Sequence, residues 1–286
     1  MPLRGKTPAP ADKRLKALFF GQAGVGKTTA AIQFPKPYLI DTEKGAVNDQ
    51  YAATIKKAGG VVFNTNDFDD IVAEVTALLS ESHKYQTLII DPITTVYDDL
   101  IEKAERKVGT EFGRHYGEAK KQWKRLGNLL MRLDMNVIIT SHQKNLYGDA
   151  MKVIGNTFDG PKGLDYMFDL VFEIARRGAD RVGIVRKTRV TGFPEGDVFP
   201  FSYAEVAARY GRDVLERDAV AVALASPEQV RELMQLIADR KDGDELLDKW
   251  LTKAEADSPA EMSSDAIGKC IAFLTKPVAA GVGGAR

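Results

Sequence analysis

The sequence predicts an α/β protein whose mostly parallel sheet carries helices on both faces and is followed by a small C-terminal helical module. Three observations lead to this prediction. Short apolar runs alternate with longer helical patterns up to about residue 190, which is typical of a parallel sheet. The later apolar runs lie closer together, which favours an antiparallel extension at one edge. From about residue 204 onward the pattern is helical only.

The predicted strands are short runs rich in Val, Ile, Leu or Phe that are bounded by Gly, Pro or charged residues. They cover residues 17–20, 38–40, 61–63, 87–90, 137–140, 170–174 and 182–185. Apolar residues at helical spacing predict helices over 68–79, 117–133, 203–210, 227–238, 245–256 and 264–274. Ser226 before Pro227 is a suitable N-cap for the helix that begins there.

These patterns divide the chain into four parts. Residues 1–13 are polar and contain prolines, so we expect a flexible arm. Residues 14–215 are predicted to form the α/β core, and residues 216–275 an acidic helical module. The last residues, 276–286, are predicted to be a disordered tail.

The composition favours a cytoplasmic protein. Cys270 is the only cysteine, so the chain forms no internal disulfide and no cysteine-based zinc site, which fits a reducing compartment. No apolar run approaches the roughly 18 residues that a membrane span needs. The net charge is zero, but residues 101–125 carry eight Lys or Arg against four Asp or Glu. Residues 213–265 carry fourteen acidic and six basic residues. This division favours an anionic partner, although two solvated faces of opposite charge explain it equally well.

The segment GQAGVGKT, residues 21–28, satisfies the phosphate-binding pattern G-x-x-x-x-G-K-[ST] between a predicted strand and a helical run. Its glycines allow backbone N–H groups to turn towards phosphate oxygens, and the N-terminus of the following helix adds positive charge. We expect Lys27 to reach the β- and γ-phosphates of ATP, and the Thr28 hydroxyl to bind Mg²⁺. The predicted nucleotide-binding residues are Gly21, Gln22, Ala23, Gly24, Val25, Gly26, Lys27, Thr28 and Thr29.

Two acidic residues at predicted strand ends would complete a hydrolytic site. Asp91 ends the apolar run TLIID, as a Walker B element should, and is the predicted second ligand of Mg²⁺. An aspartate in this position can also be a simple turn cap. Glu43 follows the strand at 38–40, at the carboxyl edge of a parallel sheet, and is the candidate base for water. Asp41 is its rival, and either could instead pair with Lys44.

With these motifs the chain resembles the RecA-like recombination ATPases, and more narrowly the phage-encoded RecA-like ATPases associated with single-strand annealing. FFGQAGVGKTT matches the phosphate loop, and LIDTEKG looks like the family's strand-plus-glutamate element. TLIIDPIT matches Walker B, and NVIITSHQK is similar to the strand that ends in the γ-phosphate sensor. The resemblance spans roughly residues 15–195. It implies a RecA-like core that hydrolyses ATP with Mg²⁺, in which Glu43 is the catalytic base.

One departure from the family concerns the sensor. Recombinases usually have a glutamine where this chain has His142, and Gln143 follows immediately, so either side chain is a candidate sensor. The alternative for His142 is a hydrogen-bonded residue at the end of a strand.

The resemblance also implies two loops that bind single-stranded DNA, at about 106–121 after Walker B and about 144–162 after the sensor. Both contain basic groups for phosphates and aromatic rings on which bases can stack, at about 1–3 kcal/mol per base. The alternative is that both are surface loops whose aromatic rings pack inward. The predicted DNA-binding residues are Arg106, Lys107, Arg114, Tyr116, Lys120, Lys144, Tyr147, Lys152, Phe158 and Lys162.

In the family that this chain resembles, a strand near GIVRKTRVTGFPEG, residues 183–196, ends in basic residues that reach the γ-phosphate of the neighbouring subunit. Lys187 and Arg189 are the matching candidates, and Arg186 is a third. Their role would be to neutralise transition-state charge in trans. This implies a homo-oligomer, either a ring or a filament, with ATP at the subunit interfaces. The alternative is a solvated basic hairpin.

Other readings remain open at this point. A translocating motor, such as a ring helicase, would use the same nucleotide residues. A binding module in which ATP acts only as an assembly switch would also use them, with little turnover. The acidic helical module could compete with DNA for the basic surface, dock a single-strand DNA-binding protein, or simply pack against the core.

Overall fold

A sheet of nine strands forms the centre of the computed structural model, which describes residues 13–45, 49–238 and 240–275. Its strands are β1 (Lys16–Gly21), β2 (Pro37–Asp41), β3 (Val61–Asn64), β4 (Thr87–Asp91), β5 (Asn136–Tyr147), β6 (Val153–Phe158), β7 (Leu170–Arg177), β8 (Asp180–Thr188) and β9 (Val198–Pro200). The order across the sheet is β3-β2-β4-β5-β1-β7-β8-β9, and β6 pairs with the outer part of β5. The predicted arm, apart from Lys13, and the predicted tail lie outside the described residues.

The pairing confirms the predicted α/β class. Strands β3, β2, β4, β5, β1 and β7 pair in parallel in that order. Strands β8 and β9 add to β7 as an antiparallel extension, and β6 pairs antiparallel with β5. Strands β2, β4 and β1 therefore end at one edge, which we call the carboxyl edge. Asp41 lies opposite Asp91 there, and Gly21 lies opposite His142. This register brings the separate sequence motifs to one place.

Helices cover both faces of the sheet. They are α1 (Lys27–Ala31), α2 (Asp49–Lys57), α3 (Phe68–Ser80), α4 (Ile93–Val108), α5 (Arg114–Arg132), α6 (Leu164–Met167), α7 (Tyr203–Tyr210), α8 (Arg212–Leu215), α9 (Pro227–Ala238), α10 (Gly243–Ala254) and α11 (Ser264–Thr275). The apolar pattern did not predict α2, α4, α6, α8, β6 or β9. None of the helices within the described ranges is long and apolar enough to cross a membrane.

Each face of the sheet has its own apolar core, because side chains alternate along a strand. In β1, Leu18 and Phe20 pack with α3, α4 and α5, whereas Ala17 and Phe19 pack on the opposite face. Phe19 is fully buried and meets the rings of other phenylalanines, including Phe172 at 5.8 Å. Burial of one such side chain contributes about 1.5–3 kcal/mol. Strand β1, which leads into the phosphate loop, is thereby held between two apolar cores.

Helices α9, α10 and α11 form a third, smaller core around Leu233, Ile237 and Ile267. This helical module is joined to the sheet domain by an ion pair between Arg125 of α5 and Glu261, at 2.7 Å. Glu261 is buried, and its backbone carbonyl accepts a hydrogen bond from Arg132 at 2.7 Å. These contacts show the helical module packed against α5 of the sheet domain, which was one of the alternatives for this segment. The domain boundaries stay predictions.

Candidate nucleotide-binding site

The phosphate loop lies between β1 and α1, at the carboxyl edge of the sheet. Gly24 and Gly26 have φ of 77° and 91°, conformations that L side chains rarely adopt. A cavity of about 560 Å³ opens above the loop, and we call it the phosphate-loop cavity. Its loop-side lining comes from Ala23, Gly24, Gly26, Lys27, Thr28 and Thr29.

Lys27 points back over this loop. Its Nζ donates hydrogen bonds to the carbonyl oxygens of Gly21 at 2.9 Å and Gln22 at 3.1 Å. Burial lowers the pKa of Lys27, while the nearby carboxylates of Asp91 and Glu43 act in the opposite direction. The Lys27 amino group is therefore held at the cavity by carbonyl contacts that the more strongly charged oxygens of a phosphate group can replace.

Asp91 and Thr28 meet at the floor of the cavity. The Thr28 hydroxyl donates to Asp91 Oδ2 at 2.5 Å, and the Thr140 hydroxyl donates to Asp91 Oδ1. Burial raises the pKa of Asp91, and the two hydroxyl hydrogen bonds oppose that shift. The sequence analysis did not single out Thr140, because only the pairing of neighbouring strands brings it here.

This pair of oxygen ligands fits Mg²⁺. Mg²⁺ is usually held by one or two protein oxygens together with substrate phosphates and water. In the described part of the chain, no group of three or more His, Cys, Asp or Glu could hold a metal by itself. The donor set therefore suits an ion that arrives with a nucleotide, with Thr28 and Asp91 as its protein ligands.

Glu43 and His142 contact each other in the lining of the cavity. Glu43 Oε1 lies 3.1 Å from His142 Nε2, and both side chains are about half exposed. The rival of Glu43, Asp41, is buried, and its Oδ1 accepts the backbone N–H of Glu43 at 3.2 Å. Gln143 does not line the cavity and lies opposite Phe158 in the β5–β6 ladder. His142 is thus the sensor candidate that reaches the site.

Lys187 and Arg189 lie at the opposite, amino edge of the sheet, since β8 runs antiparallel to β7. Lys187 Nζ donates to the carbonyl oxygen of Phe168 at 2.8 Å, and Arg189 donates to that of Tyr166 at 3.1 Å. Burial lowers the pKa of Lys187. Neither residue reaches the cavity of its own subunit, so a role in ATP hydrolysis would have to be in trans. Arg186, the third candidate, pairs with Glu173.

Five residues of the cavity lining were not predicted from the sequence: Gly45, Tyr51 of α2, Pro92, Arg176 of β7 and Arg181 of β8. Arg181 Nε donates to the carbonyl oxygen of Val25 in the phosphate loop at 3.3 Å. The sequence signal for the two arginines is the excess of basic residues over 176–189, which hold six Lys or Arg and one acidic residue.

The first predicted DNA-binding loop, at 106–121, is mostly helical, which corrects the expectation of a loop. Helices α4 and α5 are antiparallel, since Tyr97 packs on Trp123 and Glu105 lies 3.7 Å from His115. Only residues 109–113 form the turn between them. Because α4 begins at the carboxyl edge and α5 ends near the start of β5, this helical hairpin extends beyond the carboxyl edge.

The second predicted loop, at 144–162, is mostly a β-hairpin. Strand β5 continues past His142 to Tyr147, and β6 returns to Phe158. This β-hairpin therefore also projects beyond the carboxyl edge. Its tip exposes a set of large apolar side chains, Leu146, Tyr147, Met151, Val153 and Ile154.

The predicted DNA-binding residues differ in their surroundings. Four of the basic residues are exposed but engaged in ion pairs: Arg106 with Glu102, Lys107 with Glu118, Arg114 with Glu111 and Lys144 with Asp159. The other exposed members of the set form no such pair with any residue that the structure describes: Tyr116, Lys120, Tyr147, Lys152 and Lys162. Phe158 instead packs against the core, so it is not an open platform for a base.

Comparison with known families gives one match: a family model described as an AAA domain covers residues 13–199. No curated protein sequence matches the chain.

Solved structures that resemble the chain include the crystal structure of the RadB recombinase. It has 17% identity and a TM-score of 0.40, and the match covers 66% of this chain and 87% of that one. Another is the assembled ATPase EscN from the type III secretion system of enteropathogenic E. coli. It has 12% identity and a TM-score of 0.37, with 91% of this chain and 66% of that one covered.

Proposed function

This chain belongs to the AAA domain family of P-loop ATPases, and from this premise we propose a function. We propose that the protein couples ATP hydrolysis to the binding and annealing of single-stranded DNA. The family assignment accounts for the nucleotide part of the proposal. The DNA part rests on one observation, which is that two projecting hairpins with exposed aromatic and basic residues flank the phosphate-loop cavity.

The residues of the cavity suit the hydrolysis of ATP. Lys27 and the loop amides bind the phosphates, and Glu43 accepts a proton from the attacking water. His142, 3.1 Å from Glu43, responds to the γ-phosphate from β5. Thr28 and Asp91 would hold Mg²⁺, which when bound neutralises charge on the phosphate oxygens.

The two hairpins have the composition that single-stranded DNA requires. The turn of the helical hairpin exposes Phe112, and the first turn of α5 exposes Tyr116 beside Arg114. The β-hairpin exposes Tyr147 and Lys152. Stacking on such rings does not depend on sequence, and each stacked base contributes about 1–3 kcal/mol. Both hairpins rise from the edge that carries the cavity, so DNA and ATP would bind on the same side.

We further propose that the protein acts as a homo-oligomer with ATP at its subunit interfaces. Lys187 and Arg189 lie at the edge opposite the cavity, where only another subunit could bring a phosphate to them. Lys187 donates to backbone carbonyls, and Arg189 donates to the Tyr166 carbonyl and pairs with Asp169 at 3.5 Å. A phosphate can replace the carbonyl contacts.

The rate of ATP hydrolysis with and without single-stranded DNA, at low and high salt, tests the proposal. We expect DNA to stimulate hydrolysis at low salt and to lose that effect as salt rises, since phosphate contacts release counterions. Hydrolysis that is indifferent to DNA at every salt concentration would overturn the DNA part and leave the ATPase part standing. Strand displacement with a fixed direction would favour the motor reading, and binding without turnover the switch reading.

Variants of the β-hairpin sharpen this test. Tyr147→Ala and Lys152→Ala should reduce the affinity for single-stranded DNA and the stimulation by DNA, with hydrolysis in its absence retained. Phe273→Ala is a matched control, because Phe273 is an exposed ring on α11, in the helical module. Equal losses in the control and in Tyr147→Ala would contradict a specific role for the hairpin.

A further inference from the structure

The turn between β7 and β8 brings two arginines to the phosphate-loop cavity. Arg176 and Arg181 lie directly opposite each other in the β7–β8 ladder, and both line the cavity. Strand β7 is parallel to β1, so this turn reaches the carboxyl edge next to the phosphate loop. Arg181 is half-buried there and donates to the Val25 carbonyl at 3.3 Å, whereas Arg176 is exposed.

In the part of the chain that the structure describes, the two guanidinium groups form no ion pair with a carboxylate. The cavity carboxylate of Glu43 pairs with His142 instead, and Arg186, on the same strand as Arg181, pairs with Glu173. Like charges directly opposite each other destabilise a β-ladder. Two facing arginines at a cavity therefore indicate a site for an anion that is absent from the chain itself.

The strand order shows which end of a nucleotide this anion belongs to. The groups that suit the γ-phosphate and Mg²⁺ come from β2, β4 and β5, all on one side of β1. They include Glu43, Asp91 and His142. The arginine pair lies on the other side of β1, on β7 and β8. A triphosphate whose γ end lies near Glu43 must direct its α-phosphate and nucleoside towards the pair.

We propose that Arg176 and Arg181 form the binding site for the nucleoside end of the nucleotide. Arg181, which contacts the phosphate loop, binds the α-phosphate. The more exposed Arg176 covers the base with its planar guanidinium, a group that stacks well on aromatic rings. Phosphate binding and stacking distinguish poorly between bases, so the site accepts GTP nearly as well as ATP. This inference rests on the proposed function as an ATPase.

Calorimetric titration of ADP and ATP into the full-length chain with Mg²⁺ tests the assignment. Arg181→Ala should weaken the binding of ADP and ATP by the same factor, about tenfold or more, because a charge-assisted hydrogen bond contributes about 1.5–3 kcal/mol. Arg176→Ala should weaken both nucleotides alike. Arg177→Ala is the matched control, since Arg177 is exposed on the same turn and does not line the cavity.

The outcomes separate this inference from the proposed function. If the wild-type protein binds neither nucleotide, the proposed function fails and the inference fails with it. If the wild-type protein binds both but Arg181→Ala weakens ATP alone, the pair contacts the γ-phosphate and the inference is overturned. Unchanged affinities in both variants overturn it as well. Melting curves verify folding, and Arg181→Gln, which keeps more of the side chain, replaces Arg181→Ala if that variant does not fold.

Discussion

The carboxylate of Asp91 is held in place by hydrogen bonds from residues far away in sequence. It accepts hydroxyl hydrogen bonds from Thr28 of α1 and Thr140 of β5. The two hydroxyls stabilise the charged form, which burial alone would disfavour. The Asp91 carboxylate is thereby held next to the Thr28 hydroxyl, which is the arrangement that the proposed Mg²⁺ site requires.

Glu43→Gln should separate nucleotide binding from turnover. The amide keeps the shape of the side chain but cannot accept a proton from water, so we expect hydrolysis to fall by about 10²–10⁴-fold. ATP affinity should be retained. Steady-state hydrolysis and ATP titration on the same preparation measure both quantities.

An exposed glutamate outside the cavity is the control for this substitution. Glu195→Gln, between β8 and β9, should leave hydrolysis unchanged. Full activity in Glu43→Gln would exclude Glu43 as the base. Asp41 would then be the next candidate.

At the scale of single residues, the sequence was most informative where the chemistry is local. Lys27 and Thr28 belong to one continuous motif, and their positions at the cavity follow from it. Arg176 and Arg181 could not be found in this way, because they become neighbours only through the β7–β8 pairing. Spacing alone also could not decide between His142 and Gln143, whereas the register of β5 directs His142 to the cavity.

Among the elements, α5 ends on an unusual group, the buried amino group of Lys16 in β1. Its Nζ donates to the carbonyl oxygens of Leu130 and Leu133 at 2.9 Å each, and to that of Met135 at 3.1 Å. These carbonyls belong to the last turn of α5 and to the segment that leads into β5, so they lack helical partners. Lys16 thus fastens the C-terminus of α5 to the central strand.

This lysine should make stability depend on pH. Burial lowers the pKa of Lys16 to about 7 in the folded state, against about 10.4 in an unfolded chain. Between these values the unfolded state binds more protons, so the free energy of unfolding rises with pH by up to about 1.4 kcal/mol per unit. Urea denaturation at pH 7.5, 8.5 and 9.5 measures this slope.

Substitution isolates the contribution of Lys16 from that of other groups. Lys16→Met should be less stable overall, because three carbonyls lose their donor, and its stability should rise less steeply with pH. Lys56→Met, at an exposed position on α2, should retain the wild-type slope. A slope shared by all three proteins would contradict the assignment.

The helical module should depend on Glu261 for its attachment. Glu261→Ala leaves Arg125 and the backbone N–H of Asp257 without their partner, and we expect a loss of about 1–3 kcal/mol in the free energy of unfolding. Urea denaturation and limited proteolysis of the module measure this loss. Asp265→Ala removes an exposed ion pair with Lys269 and should change stability little. Equal effects of the two substitutions would argue against a special role for Glu261.

Elements were predictable where the apolar pattern was long or was bounded by turn residues. Helix α3 and strands β1, β2, β3 and β4 begin and end close to their predicted positions. Helix α4 was not predicted because the segment after Walker B was assigned from its place in the RecA-like family that the chain resembles. The spacing of its own apolar residues was not used. Apolar residues at Val96, Leu100 and Ala104 do follow a helical repeat and are buried. The β-hairpin was missed because its tip is apolar on exposed faces.

On the scale of the whole molecule, the separation of Lys187 and Arg189 from their own cavity leads to a test by subunit mixing. Lys27→Ala disables the nucleotide site and keeps the basic residues, and Arg189→Ala does the reverse. If neighbouring subunits share sites, random mixing of the two inactive proteins should restore about one quarter of the wild-type rate, because about one interface in four joins an intact site to an intact arginine. ATP hydrolysis of the equimolar mixture gives the answer.

Two controls accompany the mixing experiment. Each variant alone should remain inactive at the total protein concentration of the mixture. Arg212→Ala, which removes an exposed arginine of α8, should be active by itself and should gain nothing from mixing. An inactive mixture would argue that the two basic residues serve only the amino edge of their own subunit.

Strand β5 runs without interruption from the cavity into the β-hairpin. The number of residues between the two therefore decides which face of the hairpin each outer side chain lies on. Side chains alternate between faces, so one residue inserted after Gln143 would reverse the faces of the outer strand, including that of Tyr147. Two inserted residues would restore the faces and move the tip outward by about 6.6 Å. Both insertions should keep basal ATP hydrolysis. Only the two-residue insertion should keep a measurable response to DNA. An odd or even number of inserted residues, more than the added distance, would decide which side chains contact the single-stranded DNA.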